Sequence, residues 1–354
     1  MEYRLLSHKI SRTGLCLFLA CPLVFSADKH APETVTTPPP LELEGGRRLE
    51  FVRAFSSQEE IKSKHPFWNK VVDLLAGPPE RTHMVRPYGV VTDSKGRVIV
   101  SDPGAGLVHV FDFEGKSYQK LTGPEREPLK SPIGVAVDEH DNIYVADSEL
   151  GKVLVFDSHG KLRHYIGGLK GEGFFKRPTG IAVDTSSNRV YVTDTWRDAI
   201  YYTDLEGNIL GHFGLHGSEP GQFNFPIDVM VRGEELFVVD SMNFRVQFFD
   251  RNGQYKGEFG KIGPTTGYLF RSKGLAMDSE RHFYISDGML DEIQVFDRDG
   301  TLLYYFGGSG NGFGEFQSPC GIFVDRNDRV YVADMLNHRV EVFQYLGKPR
   351  DSGN

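Results

Sequence analysis

Aspartates are the residues of this sequence whose type and spacing could do chemistry. One closes a short apolar run in each of six stretches, 45 to 47 residues apart, at Asp102, Asp147, Asp194, Asp240, Asp287 and Asp334. Carboxylates that meet at one point can move protons or hold a cation. A catalytic group, however, breaks a repeat, whereas a structural bond recurs in every copy. We therefore interpret these aspartates as acceptors for backbone N–H groups of the following loops.

Histidine and cysteine supply the other reactive side chains. Of the 12 histidines, His83, His216 and His338 fall in loops of one expected face, each in a different repeat. A metal site needs three or four ligands at one point, so we predict no metal, no cofactor and no catalytic residue. Cys320 is the only cysteine after residue 21, and we interpret it as a buried thiol. As a nucleophile it would need a base, for which His338 in the same repeat is the candidate.

The elements that must position these residues are six copies of one strand-rich unit. Aligned on the pattern Pro-x-Gly, the copies begin at Pro87, Pro132, Pro178, Pro226, Ser272 and Pro319. Blade four departs from the pattern, because Asp228 stands in the glycine position. A spacing of 45 to 48 residues is typical of propeller blades. Alternating apolar runs separated by glycine-containing turns predict an all-β protein.

The repeats resemble the NHL repeat family over roughly residues 87 to 347. Phe-Gly, spaced glycines, Phe and Pro-x-Gly occur almost whole in residues 306–321 and recur in residues 213–226. The resemblance implies a six-bladed β-propeller of NHL repeats with four antiparallel strands in each blade. It also implies that four loop residues stabilise the scaffold, namely Asn243, Arg245, Asn337 and Arg339.

An NHL-type lyase is expected to hold zinc with histidines where the first strands begin. The corresponding residues here are Tyr88, Ile133, Thr179, Ile227, Lys273 and Cys320. None of them is a histidine, which argues against that lyase chemistry.

The last repeat has no room for a fourth strand of its own. Residues 49–55 have the alternation and terminal Phe of the missing strand, so we predict that they complete blade six and close the ring. They form, with a short helical insertion before blade one, the segment 46–80, and the propeller follows over 81–347. Ser57 and Glu60 have the spacing of a capping box, and Pro66 marks the start of a second helix.

The first residues have the pattern of a targeting segment. A basic start and an apolar run predict a signal peptide over 1–27, and residues 18–21 also resemble a bacterial lipobox that would lipidate Cys21. A Pro-rich tether is expected over 28–45. These features predict an exported protein, periplasmic or held at the cell envelope as a lipoprotein.

Function is predicted on the top face, the face on which each fourth strand connects to the next first strand. Mixed basic and aromatic groups there suit a protein, peptide or glycan partner, and the candidate ligand-binding residues are Tyr88, Arg177, Trp196, Arg197, Lys273 and His338. A net charge of −8 argues against nucleic acid. We predict a monomeric, non-enzymatic binding or scaffold module. The alternative is an envelope lyase or hydrolase in the central channel, which three or more clustered polar groups that break the repeat would favour.

Overall fold

Six antiparallel sheets form the computed structural model, which describes residues 37–61, 82–168 and 173–347 of the chain. Five sheets have four strands and the sixth has five. Within each four-stranded sheet the strands lie side by side in chain order. The prediction of an all-β, six-bladed propeller is confirmed.

The strands are numbered in chain order. The two that precede blade one are β1 (Leu41–Glu42) and β2 (Arg48–Phe55). Blades one and two contain β3 (Val90–Thr92), β4 (Val98–Asp102), β5 (Leu107–Asp112), β6 (Ser117–Leu121), β7 (Pro132–Val137), β8 (Ile143–Asp147), β9 (Lys152–Phe156) and β10 (Leu162–Ile166). Blades three and four contain β11 (Pro178–Asp184), β12 (Arg189–Asp194), β13 (Ala199–Thr203), β14 (Ile209–Phe213), β15 (Pro226–Arg232), β16 (Glu235–Asp240), β17 (Arg245–Asp250) and β18 (Tyr255–Phe259). Blades five and six contain β19 (Ser272–Met277), β20 (Phe283–Asp287), β21 (Glu292–Phe296), β22 (Leu302–Gly307), β23 (Pro319–Val324), β24 (Arg329–Asp334) and β25 (Arg339–Leu346).

The second strand of each blade is buried along nearly its whole length. In β4, β8 and β20 every residue is buried. Such a strand has a neighbouring strand on each side and a neighbouring blade over each face, so it reads as a continuous apolar run instead of an alternation. Between blades four and five, the rings of Phe237 and Phe283 lie 5.1 Å apart, centre to centre. Apolar contacts between blades therefore form the core.

The ring is closed by the strand that the sequence predicted. β2 pairs antiparallel with β25 and so supplies the outer strand that blade six lacks. Phe55 is 2% exposed, and its ring lies 4.9 Å from those of Phe111 and Phe113 in blade one. One residue pair was not predicted: Leu41–Glu42, placed in the tether by the sequence, forms β1 and pairs with β2.

Helical structure in the described residues is limited to short 3₁₀ turns. They are Glu44–Gly46, Gln58–Glu60, Thr185–Ser187, Thr195–Arg197 and Ser241–Asn243. The capping box is present, since the Ser57 Oγ accepts a hydrogen bond from the Glu59 N–H and the Glu60 carboxylate accepts one from the Ser57 N–H. The second predicted helix, the signal peptide and Cys21 lie outside the described residues. Of the residues that the structure describes, none belongs to a helix long and apolar enough to span a membrane.

Candidate functional site

The repeated aspartates hold the top-face loops in place. In every blade the aspartate that ends the second strand accepts backbone N–H bonds from the loop that leads into the first strand of the same blade. In blade one, for example, Asp102 accepts bonds from Val85 (2.6 Å) and Arg86 (2.9 Å). Three of these carboxylates also accept backbone N–H bonds from the following loop, the partner that the sequence predicted in all six blades. The structural interpretation is therefore confirmed, with the preceding loop as the constant partner.

The two Asn-x-Arg pairs also stabilise loops. The Arg245 Nε donates to Asp240 at 2.9 Å, and its Nη2 donates to the carbonyl oxygens of Glu219 and Gln222. Arg339 has the same position in blade six, 3.0 Å from Asp334. These arginines bind the top loop of their own blade and contribute to the scaffold.

The central channel is lined by the first strands of all six blades. It encloses a cavity of about 220 Å³. Its deeper wall is mostly apolar and includes Val135, Ile181, Leu275 and Ile322, with Arg232 at the far end of β15 as a charged exception. Polar side chains gather at its mouth, where the first strands begin. The channel is therefore an apolar recess with a polar entrance.

Glycines let the first strands approach one another around this mouth. A Cβ on Gly134 would lie 2.0 Å from the Thr179 carbonyl oxygen of the next blade, and one on Gly321 would lie 2.3 Å from that of Tyr88. Both distances exclude a side chain. Blade four alone has a side chain here, on Asp228. Its Oδ2 accepts a bond from the Leu275 N–H at 3.0 Å and its Oδ1 one from the Val229 N–H at 2.9 Å.

Burial raises the pKa of Asp228 to about 7, against the opposing effect of the two N–H bonds. The folded protein therefore binds a proton here that an unfolded chain, with a pKa near 3.8, has already lost. Stability from this group is fully present below about pH 4 and is lost as the pH rises through 7.

We expect the wild type to lose stability relative to Asp228→Asn between pH 4.5 and pH 8. The loss should be about 2 kcal/mol, below the ~4 kcal/mol that three pKa units would give, because the side chain is only half-buried and solvent screens its charge. Urea unfolding at both pH values measures the difference. Asp228→Gly, which restores the residue of the other five blades, is the matched control for removal of the carboxyl. A wild-type-to-variant difference that stays constant with pH would contradict this assignment.

Lys273 lines the mouth, and the charges of Arg271 and Arg177 act on it. Burial lowers the pKa of the half-buried Lys273, and the positive charges of Arg271 and Arg177 lower it further. Arg177 and Arg271 also oppose the burial that raises the pKa of Tyr88. Within the described residues none of these three cations forms an ion pair. The structure thus brings the predicted residues Tyr88, Arg177 and Lys273 together in a positively charged entrance.

Cys320 lies in this entrance as a buried thiol. Its side chain is 0% exposed, and burial raises its pKa to about 12. Its Sγ lies 3.4 Å from the Ser318 carbonyl oxygen and 3.8 Å from the Met335 Sδ. His338 instead points its Nδ1 at the Val85 carbonyl oxygen. Among the described residues, the predicted base His338 forms its hydrogen bond elsewhere and the thiol has a raised pKa, so the proposed Cys320–His338 pair is not formed.

The other predicted site residues lie away from the mouth. Trp196 is 58% exposed and adjoins the site through Arg177, whose guanidinium is 5.3 Å from its ring centre. Arg197 packs over the rings of Phe174 (5.1 Å) and Tyr201 (5.6 Å), so its side chain serves the scaffold. His338 bonds to the loop before blade one, so it stabilises the seam between blades six and one.

Two residues of the mouth, Asp228 and Arg271, were not among the predicted site residues. Asp228 had a signal in the sequence, since it replaces the glycine of the repeat pattern. Arg271 had no comparable signal, because charged residues are common in loops. In the part of the chain that the structure describes, no three His, Cys, Asp or Glu residues are arranged to hold a metal ion.

Comparison with known proteins agrees with this architecture. Residues 106–215 match the model of the family DUF5128, described as a 6-bladed beta-propeller. A stretch of 66 residues, 18% of this chain, is 35% identical to Protein brain tumor of Drosophila melanogaster, and it spans 6% of that protein's length.

Solved structures with a similar fold include two lyases. Virginiamycin B lyase from Staphylococcus aureus is 16% identical with a TM-score of 0.55, over 74% of this chain and 81% of that one. A streptogramin B lyase is 13% identical with a TM-score of 0.56, over 74% and 94%. A protein of unknown function from Bacteroides thetaiotaomicron is 15% identical with a TM-score of 0.58, over 74% and 70%. At these identities the similarity shows the fold alone, and the chain is a six-bladed all-β propeller.

Proposed function

We propose that this protein is an exported NHL-type propeller that acts as a non-enzymatic binding module at the bacterial cell envelope. The mouth of its channel would take the anionic group of a protein, peptide or glycan partner. The observation that carries the proposal is the convergence of Arg177, Arg271 and Lys273, which have no ion pair among the described residues.

Grouped like charges repel one another, and a bound anion relieves that repulsion. Three cations and one carboxyl group, Asp228 with a pKa of about 7, gather at the mouth, so it has an excess of positive charge although the chain as a whole has a net charge of −8. A carboxylate there could accept hydrogen bonds from guanidinium and ammonium groups, the stronger kind of hydrogen bond. A recess of about 220 Å³ admits an end group or a side chain, and the rest of the partner would lie across the top face.

Export rests on the sequence of the first 27 residues, with its basic start and apolar run. The NHL assignment rests on the repeat pattern that recurs from residue 87 to residue 347. A lipid on Cys21 would keep the propeller at a membrane surface, whereas cleavage near residue 27 would release it. Mass spectrometry of the mature N-terminus distinguishes these two forms.

The test of the binding site is a titration with simple anions. The carboxylate probes are N-acetylated amino acids and glucuronic acid. We expect them to raise the melting temperature of the full chain. The double variant Arg271→Gln, Lys273→Gln should lower the affinity for the tightest-binding probe by about tenfold, because it removes two charge-assisted hydrogen bonds.

Lys95→Gln is the matched control for loss of positive charge. Lys95 is exposed in the turn between β3 and β4, at the opposite end of the channel. It should leave the affinity unchanged within about twofold, since distant exposed charges are screened by salt. Equal effects of the two variants, or no stabilisation by any carboxylate, would remove the support for this site.

A lyase or hydrolase in the channel is the second candidate. It is favoured by one observation: Asp228, which breaks the repeat, lines the same recess as Tyr88 and Lys273, two polar residues at a position that varies between blades. Asp228, with a pKa of about 7, could exchange a proton at neutral pH. Turnover of a bound ligand that is abolished by Asp228→Asn, while binding is retained, would establish the enzyme. Binding without turnover in the wild type supports the binding module.

A further inference from the structure

Four exposed apolar side chains occupy one position in four consecutive blades. Each is the second residue after the aspartate that ends the second strand. They are Trp196 (58% exposed), Met242 (52%), Met289 (55%) and Leu336 (49%), and we call them the apolar arc. Blades one and two have Gly104 and Glu149 at the equivalent position. The arc therefore covers blades three to six and stops there.

The loops that bear the arc share one backbone conformation. The second residue after each arc residue has a left-handed φ: 49° at Asp198, 57° at Phe244, 54° at Asp291 and 57° at His338. The strand-ending aspartate contacts each of these loops, but through different groups. Asp287 accepts a bond from the Met289 N–H (3.0 Å), Asp240 and Asp334 accept bonds from the side chains of Asn243 and Asn337, and Asp194 pairs with Arg197. The four side chains are therefore presented outward by equivalent, hydrogen-bonded loops. Isolated apolar residues are common on protein surfaces, but a register kept over four blades is a defined surface.

The arc is continuous with the cationic mouth. Arg177 belongs to both, since its guanidinium stacks 5.3 Å from the Trp196 ring centre and its charge lowers the pKa of Lys273. An apolar group placed on Trp196 would therefore have a cation beside it. Two of the four arc residues are methionines, whose flexible side chains adapt to apolar partners of different shape.

We propose that the apolar arc and the cationic mouth form one docking surface for an extended segment of a partner protein, in which an acidic residue lies between apolar ones. The inference rests on the proposed anion site at the mouth and adds the partner's chemistry. The acidic side chain enters the mouth, and its apolar neighbours pack on Trp196, Met242 or Met289. Charge complementarity selects the acid, and burial of the arc supplies most of the affinity.

An anionic membrane is the other surface that apolar and cationic groups could meet. Two observations favour the protein segment. The arc leaves out blades one and two, so it does not surround the top face as a flat membrane contact would. The chain also has a net charge of −8, which such a surface repels.

The experiment selects partners from a displayed library of random peptides on the immobilised full chain. We expect the selected peptides to share an Asp or Glu flanked by apolar residues. Fluorescence anisotropy then measures their affinity for three double variants. They are an arc variant (Met242→Ser, Met289→Ser), a mouth variant (Arg271→Gln, Lys273→Gln) and a control variant (Leu210→Ser, Leu303→Ser).

Leu210 (52% exposed) and Leu303 (44%) lie on outer strands, so the control removes similar exposed apolar side chains elsewhere. The arc and mouth variants should each lower the affinity for the peptides by about tenfold, and the control variant by less than about twofold. Binding energy concentrates in a few central residues of an interface. Vesicles of phosphatidylglycerol and phosphatidylcholine form a second arm, and we expect no binding to them.

Each other result overturns the inference in a distinct way. Peptides weakened by the mouth variant alone would leave the anion site intact and exclude the arc. Peptides weakened by the arc variant alone would exclude the shared surface and count against the anion site. Vesicle binding that the arc variant abolishes, with no acidic-apolar peptide selected, would assign the surface to a membrane. Failure to select any such peptide, with no vesicle binding, would reject the docking surface.

Discussion

Phe55→Ala is expected to lower the free energy of unfolding by about 3 to 4 kcal/mol, in the range of large-to-small changes in a packed core. Phe55 lies on β2, the strand that closes the ring, and is 2% exposed. Its ring packs at 4.9 Å against two phenylalanines of blade one, so the substitution opens a cavity at the seam between blades six and one. Urea denaturation followed by circular dichroism measures the loss.

Val52→Ala is the matched control on the same strand. Val52 is 44% exposed, and its truncation should change the free energy of unfolding by less than about 0.5 kcal/mol. Phe55→Ala, unlike this control, should also loosen β2 and so expose the edge of β25. Exposed edges promote association between molecules, which light scattering would detect. Similar losses from the two variants would show that β2 does not stabilise the ring through its buried face.

Arg339→Ala should lower the free energy of unfolding by about 3 to 5 kcal/mol, the usual cost of leaving a buried charge without its partner. Arg339 lies 3.0 Å from Asp334 and 2.7 Å from Glu341, both 0% exposed. Burial raises the pKa of Glu341 to about 8 despite the charge of Arg339, so at neutral pH Asp334 is the carboxylate that would lose its partner. The substitution also removes the Nη2 bonds to the carbonyl oxygens of Gly312 and Glu315. Thermal and urea unfolding measure the effect.

Arg298→Ala provides the comparison at an exposed ion pair. The Arg298 side chain is 46% exposed and pairs with Glu235 near the surface. Its loss should cost less than about 1 kcal/mol, because solvent screens such pairs. If both substitutions had the same effect, the top loop of blade six would not depend on its buried arginine.

The fold was predictable because its information is local and repeated. Alternating apolar residues, turn glycines and strand-ending aspartates recur in six copies, so a strand that is ambiguous in one blade is clear in another. The closing strand at residues 48–55 was predictable because its pattern matches the outer strand that blade six lacks. β1 was not, since two residues, Leu41 and Glu42, carry no periodicity.

The site was predicted less completely, because a loop position does not give the direction of a long side chain. Trp196 and Arg197 are adjacent in the chain, yet one faces solvent beside Arg177 and the other packs over Tyr201. His338 lies on the predicted face but bonds across a seam. Asp228 was visible as a departure from the repeat, although its place in the mouth depends on the contacts between neighbouring first strands.

The pairing of β2 with β25 imposes an order on folding during synthesis. Arg48 precedes its partner Leu346 by nearly the whole propeller, so β2 is synthesised before the strand with which it pairs. Domains form from the N-terminus as the chain emerges, and the nascent propeller is an open arc with two unprotected edges until its last strand appears. Pairing residues so distant in sequence costs little further chain entropy, because the blades between them have already folded. We expect ring closure to be the last step of folding. Before that step, the open edges are where two incomplete molecules could exchange strands with one another.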